Sequence, residues 1–284
     1  MDKFIDLHVH STASDGTCTP AELVKLAHKT GLLAIALTDH DSVDGIEEAL
    51  MAADRFQLEL IPGTEFSTEY HGKEIHVVGL YIDYKNKALT DQLRQFRDFR
   101  DHRNEKMVLR LQEEGFSITY NDLLKTFPDC VLTRAHIARY LSDTKQVSSI
   151  SEVFDKYIGD GCRCYVDRPK VTPMDAVSLI HQAGGTAFLA HPCLYKMNRR
   201  ELTAMLDELA GAGLDGIEAV YSCNQGSDEK DFKALAEHYH MIISGGSDFH
   251  GTNKPYIKLG TGKGNLKIPY RILENIKTYH QKEK

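Results

Sequence analysis

The chain has 284 residues, enough for one large α/β domain or two smaller ones, with 42% hydrophobic and 26% charged residues. No apolar run is long enough to cross a membrane, and Asp2, Lys3 and Asp6 interrupt any signal-like opening, so no membrane partner and a cytoplasmic location are expected. A formal net charge of −7 speaks against binding long duplex nucleic acid, and the six scattered cysteines, of which only Cys162 and Cys164 are close, read as free thiols.

The first segment alternates strand and helix. A strand is predicted over 3–8, where Ile5, Leu7 and Val9 alternate with Asp6, His8 and His10, giving one apolar face and one that can bind a cation. Thr19-Pro20-Ala-Glu22 combines an N-cap, a proline at the first helical position and an acidic first turn, so a helix over 20–30 follows. A strand over 32–37 leads to Thr38-Asp39-His40-Asp41 and a helix to about residue 55. A third strand over 57–61 ends at Pro62-Gly63-Thr64-Glu65, and a fourth covers 74–82, with His76 near its start. From about 90 to 157 the chain is charged and carries apolar residues at helical spacing, which marks a helical insertion. After Pro169 the alternation returns: helices over 173–183, 200–212, 228–239 and 269–280, and strands over 186–190, 216–220 and 241–244. The chain therefore divides into a first barrel part (1–88), a helical lid (89–168) and a second barrel part (169–284). Strands alternating with helices form a parallel sheet, and their number favours a closed or nearly closed (β/α) barrel, whose reactive groups gather at the C-terminal strand ends.

That is where the candidates fall. His8 and His10 end the first strand, Asp15 follows it, and His40, Glu65, His191, Asp248 and His250 follow later strands; only His76 sits near a strand start. Each has an ordinary alternative, as a helix cap, a turn residue or a loop carboxylate, but the set is hard to explain piecemeal. Nine such ligands exceed what one catalytic zinc needs and suit two or three divalent ions, Mn²⁺, Fe²⁺ or Zn²⁺. Grouped ions lower the pKa of bound water and clamp phosphoryl oxygens. No nucleophilic Ser or Cys motif, Walker A loop or dinucleotide-binding motif competes, and Gly260-Thr-Gly262-Lys-Gly264 reads as a flexible loop.

Taken together, His8-x-His10-Ser-x-x-Ser-Asp15-Gly16, Thr38-Asp39-His40-Asp41, Gly63-x-Glu65, Ile75-His76, Ala190-His191-Pro192 and Ser247-Asp248-x-His250 resemble the polymerase and histidinol phosphatase (PHP) family. The resemblance implies a distorted (β/α)7 barrel and three metal positions. His8, His10, Glu65 and Asp248 would hold the first; Glu65 would bridge to a second completed by His76 and His191; Asp15, His40 and His250 would hold the third. Asp15, His40, Glu65, Asp248 and His250 are then the expected catalytic set. In the insertion, Thr133-Arg134-Ala-His136 resembles a stretch that contacts phosphate in relatives, so Arg134 and His136 are expected to bind substrate, with Lys170 a further candidate where the chain re-enters the barrel. The implied enzyme is a metal-dependent phosphoesterase in which a metal-activated hydroxide attacks a small phosphorylated substrate. A nucleotide, through the 3′-phosphate of a nucleoside 3′,5′-bisphosphate, is the first expectation. The alternatives are 5′-to-3′ cleavage of short RNA, hydrolysis of histidinol phosphate, and a non-catalytic metal-bound scaffold.

Overall fold

The computed structural model describes residues 3–128, 130–167 and 171–282. Seven strands form one sheet in sequence order: β1 (Ile5–Val9), β2 (Ala34–Leu37), β3 (Glu59–Tyr70), β4 (Lys73–Leu80), β5 (Thr186–Leu189), β6 (Gly216–Tyr221) and β7 (Ile242–Gly246). All neighbours pair in parallel except β4, which is antiparallel to both β3 and β5. The sheet curls until β7 meets β1: the Asp248 amide donates to the His8 carbonyl at 2.8 Å and the His10 amide to the Phe249 carbonyl at 3.0 Å. The result is a nearly closed seven-stranded barrel.

Two apolar layers follow from strand alternation. The outer one joins Ile35, Leu37, Val77, Leu189 and Ile217 to the buried faces of α1 (Pro20–Lys29), α2 (Ile46–Phe56), α7 (Pro173–Gln182), α8 (Arg199–Gly211) and α9 (Asp228–His238). The inner one gathers Ile5, Leu7, Ala34, Ala36, Ile61, Val78, Phe188 and Val220 with Ile272, Leu273 and Ile276 of α10 (Arg271–Lys282). Bonds from α10 reach residues at the starts of strands, Tyr279 to Asp215 and His280 to Thr186. The last helix thus plugs the N-terminal end of the barrel and leaves the other end open for a site.

Three local expectations are corrected. The alternation in β1 is broken by a register irregularity between Asp6 and Val9. Ile5 and Leu7 therefore face the inner layer while Val9 joins the outer one, and Asp6 accepts backbone N–H bonds from Ser247 and Gly260 instead of sharing a face with the histidines. The third strand does not stop at Pro62-Gly63. It runs on to Tyr70 as half of a hairpin closed by His71-Gly72, whose φ values of 48° and 81° suit a two-residue turn. Gly63 is required there, because a Cβ would lie 2.7 Å from the Gly79 carbonyl oxygen. The 260–264 segment is held by reciprocal backbone hydrogen bonds between Lys258 and Gly262, both 2.8 Å, so it is a tight turn and not a free loop.

The helical segment opens with α3 (Lys87–Glu113), a single helix that bridges two cores. Its first turns place Leu89, Leu93 and Phe96 on the barrel's outer layer. Its later turns place Met107, Val108 and Leu111 in a separate cluster with α4 (Tyr120–Thr126), α5 (Arg134–Asp143) and α6 (Ile150–Val153). A π-helical turn, Phe154–Ile158, follows α6.

Candidate active site

Glu65 stands at the centre of the open end. Its position is set by backbone pairing past β2: the Glu65 amide donates to the Asp39 carbonyl, and the Asp41 amide to the Glu65 carbonyl, which brings His40 alongside. Its Oε2 lies 3.2 Å from His8 Nε2, His10 Nε2 and His40 Nδ1. Its Oε1 lies 2.8 Å from His76 Nδ1 and His191 Nε2. His76 reaches the site because β4 runs backwards, so residues early in that strand lie at the same end as the C-terminal ends of its neighbours.

Asp248 and Asp15 flank this centre. Asp248 Oδ1 lies 3.4 Å from His10 Nε2 and 3.2 Å from His250 Nδ1, while Oδ2 accepts from Tyr221 Oη at 2.7 Å and Lys254 Nζ at 2.6 Å. Asp15 Oδ1 lies 3.1 Å from His250 Nε2, and Asp15 Oδ2 lies 4.0 Å from His40 Nε2. Among the described residues, three groups could each hold a cation, their donor atoms within 4.8 Å of one another: His8, His10, Glu65 and Asp248; His10, Asp15, His40 and His250; and His40, Glu65 and His76.

The donors fit divalent ions. His8 Nε2, both ring nitrogens of His10 and Glu65 Oε2 are buried and, among the described residues, make no well-formed hydrogen bond. Burial alone would raise the Glu65 and Asp248 carboxyls, but His40 and His8 around Glu65, and Lys254 and His250 around Asp248, hold both well below the usual range. Burial lowers His40 to about 3, with the Glu65 and Asp15 carboxylates opposing. His76 is pushed up to about 10: burial opposes this, and Glu65 overrides it. Loading a cation at that ring would displace a proton.

Above the cluster lies a cavity of ≈ 150 Å³ walled by Asp15, His40 and His76 from the barrel and by Arg100, Arg103, Thr133, Arg134 and Phe154 from the helical segment. Arg134 pairs with Glu74 and, at 2.7 Å, with Asp160. Thr133 Oγ1 reaches Asp15 Oδ2 at 3.3 Å. His136, also expected at the phosphate, is buried in the first turn of α5. Its Nδ1 accepts the Thr133 N–H at 2.9 Å in a helix-capping arrangement, and its ring packs on Phe127 at 4.7 Å. Lys170 lies outside the described residues.

Several residues of the site were not picked out from the sequence. Arg100 and Arg103 lie on the buried side of α3 with Phe96 and Met107, a spacing that marks them as inward-facing cations. Asp39 accepts from the Ser11 amide, Ser11 Oγ and Ser14 Oγ at 2.6–2.8 Å and so folds the loop that carries Asp15. Glu218, a lone carboxylate in the buried strand β6, touches His8 and His191.

Known proteins give this geometry its family. The PHP domain model matches residues 6–165. The chain belongs to the PHP family. It is 38% identical over 251 residues to a 5′-3′ exoribonuclease of Haemophilus influenzae, covering 88% of this chain and 91% of the relative. It is 34% identical over 247 residues to a 3′,5′-nucleoside bisphosphate phosphatase of Chromobacterium violaceum, covering 87% of each. A solved amidohydrolase from C. violaceum, with bound sulfate and no metal, superimposes with a TM-score of 0.87 at 32% identity over 96% of both chains. This PHP protein is a phosphoesterase, with the fold and the clustered His, Asp and Glu residues of a metal-dependent one.

Proposed function

We propose that this PHP protein removes the 3′-phosphate of nucleoside 3′,5′-bisphosphates with two to three divalent ions bound. His8, His10, Glu65 and Asp248 hold the first; Glu65, His76 and His191 the second; Asp15, His40 and His250 the third. When bound, such ions activate water and neutralise phosphoryl charge. The observation that carries the substrate reading is the wall of the cavity. Three arginines, Arg100, Arg103 and Arg134, face the same space as Asp15, His40 and His76. A substrate with one phosphate at the carboxylate–histidine cluster and a second anion a few ångströms away matches that layout. Phe154 lines the same space, with the Arg134 guanidinium over its ring. Thr133 holds Asp15 in place by its hydroxyl. The 34% identity to a bisphosphate phosphatase supports the same substrate.

The same wall would also accept the 5′-terminal nucleotide of a short RNA, and the exoribonuclease relative supports that second reading. Phosphate or nucleotide release by Mn²⁺-loaded protein from adenosine 3′,5′-bisphosphate, a 5′-phosphorylated ribotrinucleotide and histidinol phosphate separates the readings. The bisphosphate is expected to turn over fastest, and Asp248→Ala to abolish the reaction. Faster cleavage of the trinucleotide would replace the phosphatase reading by the exonuclease one. No turnover on any of them, with metal bound, would leave a scaffold.

A further inference from the structure

β6 buries a carboxylate, Glu218, that is 2% exposed and meets no lysine or arginine within 4 Å among the described residues. An ionised side chain in such a place is costly unless its hydrogen bonds are specific. Both its oxygens are used. Oε1 lies 3.0 Å from His8 Nδ1, and Oε2 accepts the backbone N–H of His191 at 2.7 Å. A carboxylate can only accept, so His8 carries a proton on Nδ1, and Nε2, 3.2 Å from Glu65, is the nitrogen left to an ion. The second contact holds His191 where its backbone has φ +28°, an unusual conformation that Pro192 follows directly. From there His191 Nε2 reaches the other oxygen of Glu65.

We infer that Glu218 is a positioning residue that sets the ligand geometry of two metal positions at once, by fixing the tautomer of His8 and the backbone of His191. This rests on the metal assignment proposed above, but not on the identity of the substrate. The two histidines meet opposite oxygens of the same bridging carboxylate, so one side chain governs both halves of the pair. Its amide isostere cannot replace it. Glutamine has one acceptor oxygen, so it can serve either His8 or His191 and must turn an N–H₂ toward the other.

The test is Mn²⁺ binding by equilibrium dialysis to wild type, Glu218→Gln and Glu218→Ala, with unfolding of each metal-free protein followed in urea. Affinity is expected to fall roughly 10–100-fold in both variants, with bound Mn²⁺ per chain reduced at limiting metal. Unchanged Mn²⁺ affinity, with only a lower urea midpoint, would reduce Glu218 to a structural residue and overturn the inference. If neither variant folds, ¹⁵N NMR of the wild-type imidazoles in the Zn²⁺-loaded protein decides. The His8 proton is expected on Nδ1, and finding it on Nε2 would overturn the assignment. Phosphoesterase assays enter neither readout, so a different substrate would leave the inference standing.

Discussion

Arg100, midway along α3, forms a buried ion pair with Asp41, the residue after His40. The side chains are 5% and 1% exposed, and each also bonds Ser67, Arg100 through its guanidinium to Oγ and Asp41 by accepting the backbone N–H. Asp41 has φ +46°, so this contact braces an uncommon backbone conformation as well. The pair ties the helical segment to the loop that carries His40, and a shift of one would move the other.

Removing one partner of a buried pair leaves an uncompensated charge and costs about 3–5 kcal/mol. Arg100→Met is expected to lower the stability of the metal-free protein by that order, and the double variant Arg100→Met/Asp41→Asn to recover part of it. Urea unfolding of the four proteins in a double-mutant cycle measures the coupling. Additive effects would show that the two side chains do not depend on each other.

Gly246, at the end of β7, sets a second constraint on His8. A Cβ there would lie 2.1 Å from the His8 Cβ and 2.7 Å from the His8 amide nitrogen. Both are parts of a strand that cannot swing away. Gly246→Ala is expected to push β1 from β7 and lower metal content at limiting Mn²⁺, beyond the roughly 1–3 kcal/mol of ordinary overpacking. Gly211→Ala is the matched control. Nothing lies within 4 Å of a Cβ there, and the residue ends α8, so a neutral or slightly stabilising effect follows. Metal analysis beside thermal melts checks both; full metal content in Gly246→Ala would show that His8 tolerates the shift.

The sequence disclosed the barrel and the convergence of the histidines and carboxylates because both are periodic. The helix start at Thr19-Pro20 carries a capping signal that is local, and its cap forms as expected. The reversal of β4 was hidden, since the direction of a strand leaves no trace in its own residues. So was the run of β3 through Pro62-Gly63, because what rescues that proline and glycine is pairing with β4, a tertiary event. Glu218 stood as one charge in an apolar strand, visible but without a partner until the fold placed it under His8. Arg100 and Arg103 lay among many charged residues on α3, and only the barrel shows which side of that helix is buried.

His136 gives the clearest dependence on pH outside the clustered ligands. Burial lowers its pKa to about 4, with Asp15 opposing, from an ordinary value of 6.5. Between those values the unfolded chain holds a proton that the folded one does not. Stability is therefore complete above pH 6.5 and falls as the pH drops toward 4, by about 3 kcal/mol in total for this group. His136→Asn keeps a side-chain acceptor for the Thr133 amide and has nothing to titrate. Its unfolding free energy, measured in chelator from pH 7 to 4, is expected to decline less steeply than that of wild type. Parallel slopes would show that His136 titrates normally.

Arg134 is the residue whose loss should separate binding from turnover. It starts α5 beside Thr133 and is 14% exposed. Its guanidinium is held by Glu74 and Asp160 with the rings of Phe154 and Tyr165 at 6.0 and 5.6 Å. Two carboxylates and two aromatic faces fix its direction before any substrate arrives, so little order is lost on binding. A charge-assisted hydrogen bond of this kind is worth about 1.5–3 kcal/mol, roughly a 10–150-fold effect. If Arg134 holds the phosphate that is not cleaved, Arg134→Gln should raise KM for adenosine 3′,5′-bisphosphate by that factor and change kcat much less, because the contact is the same in ground and transition states. If it holds the phosphate undergoing cleavage, kcat should fall along with kcat/KM. Arg134→Lys, which keeps the charge but not the planar fork, should restore only part of the loss. Steady-state kinetics of the three proteins on the bisphosphate read this out, and unchanged kcat and KM in Arg134→Gln would remove Arg134 from the substrate site.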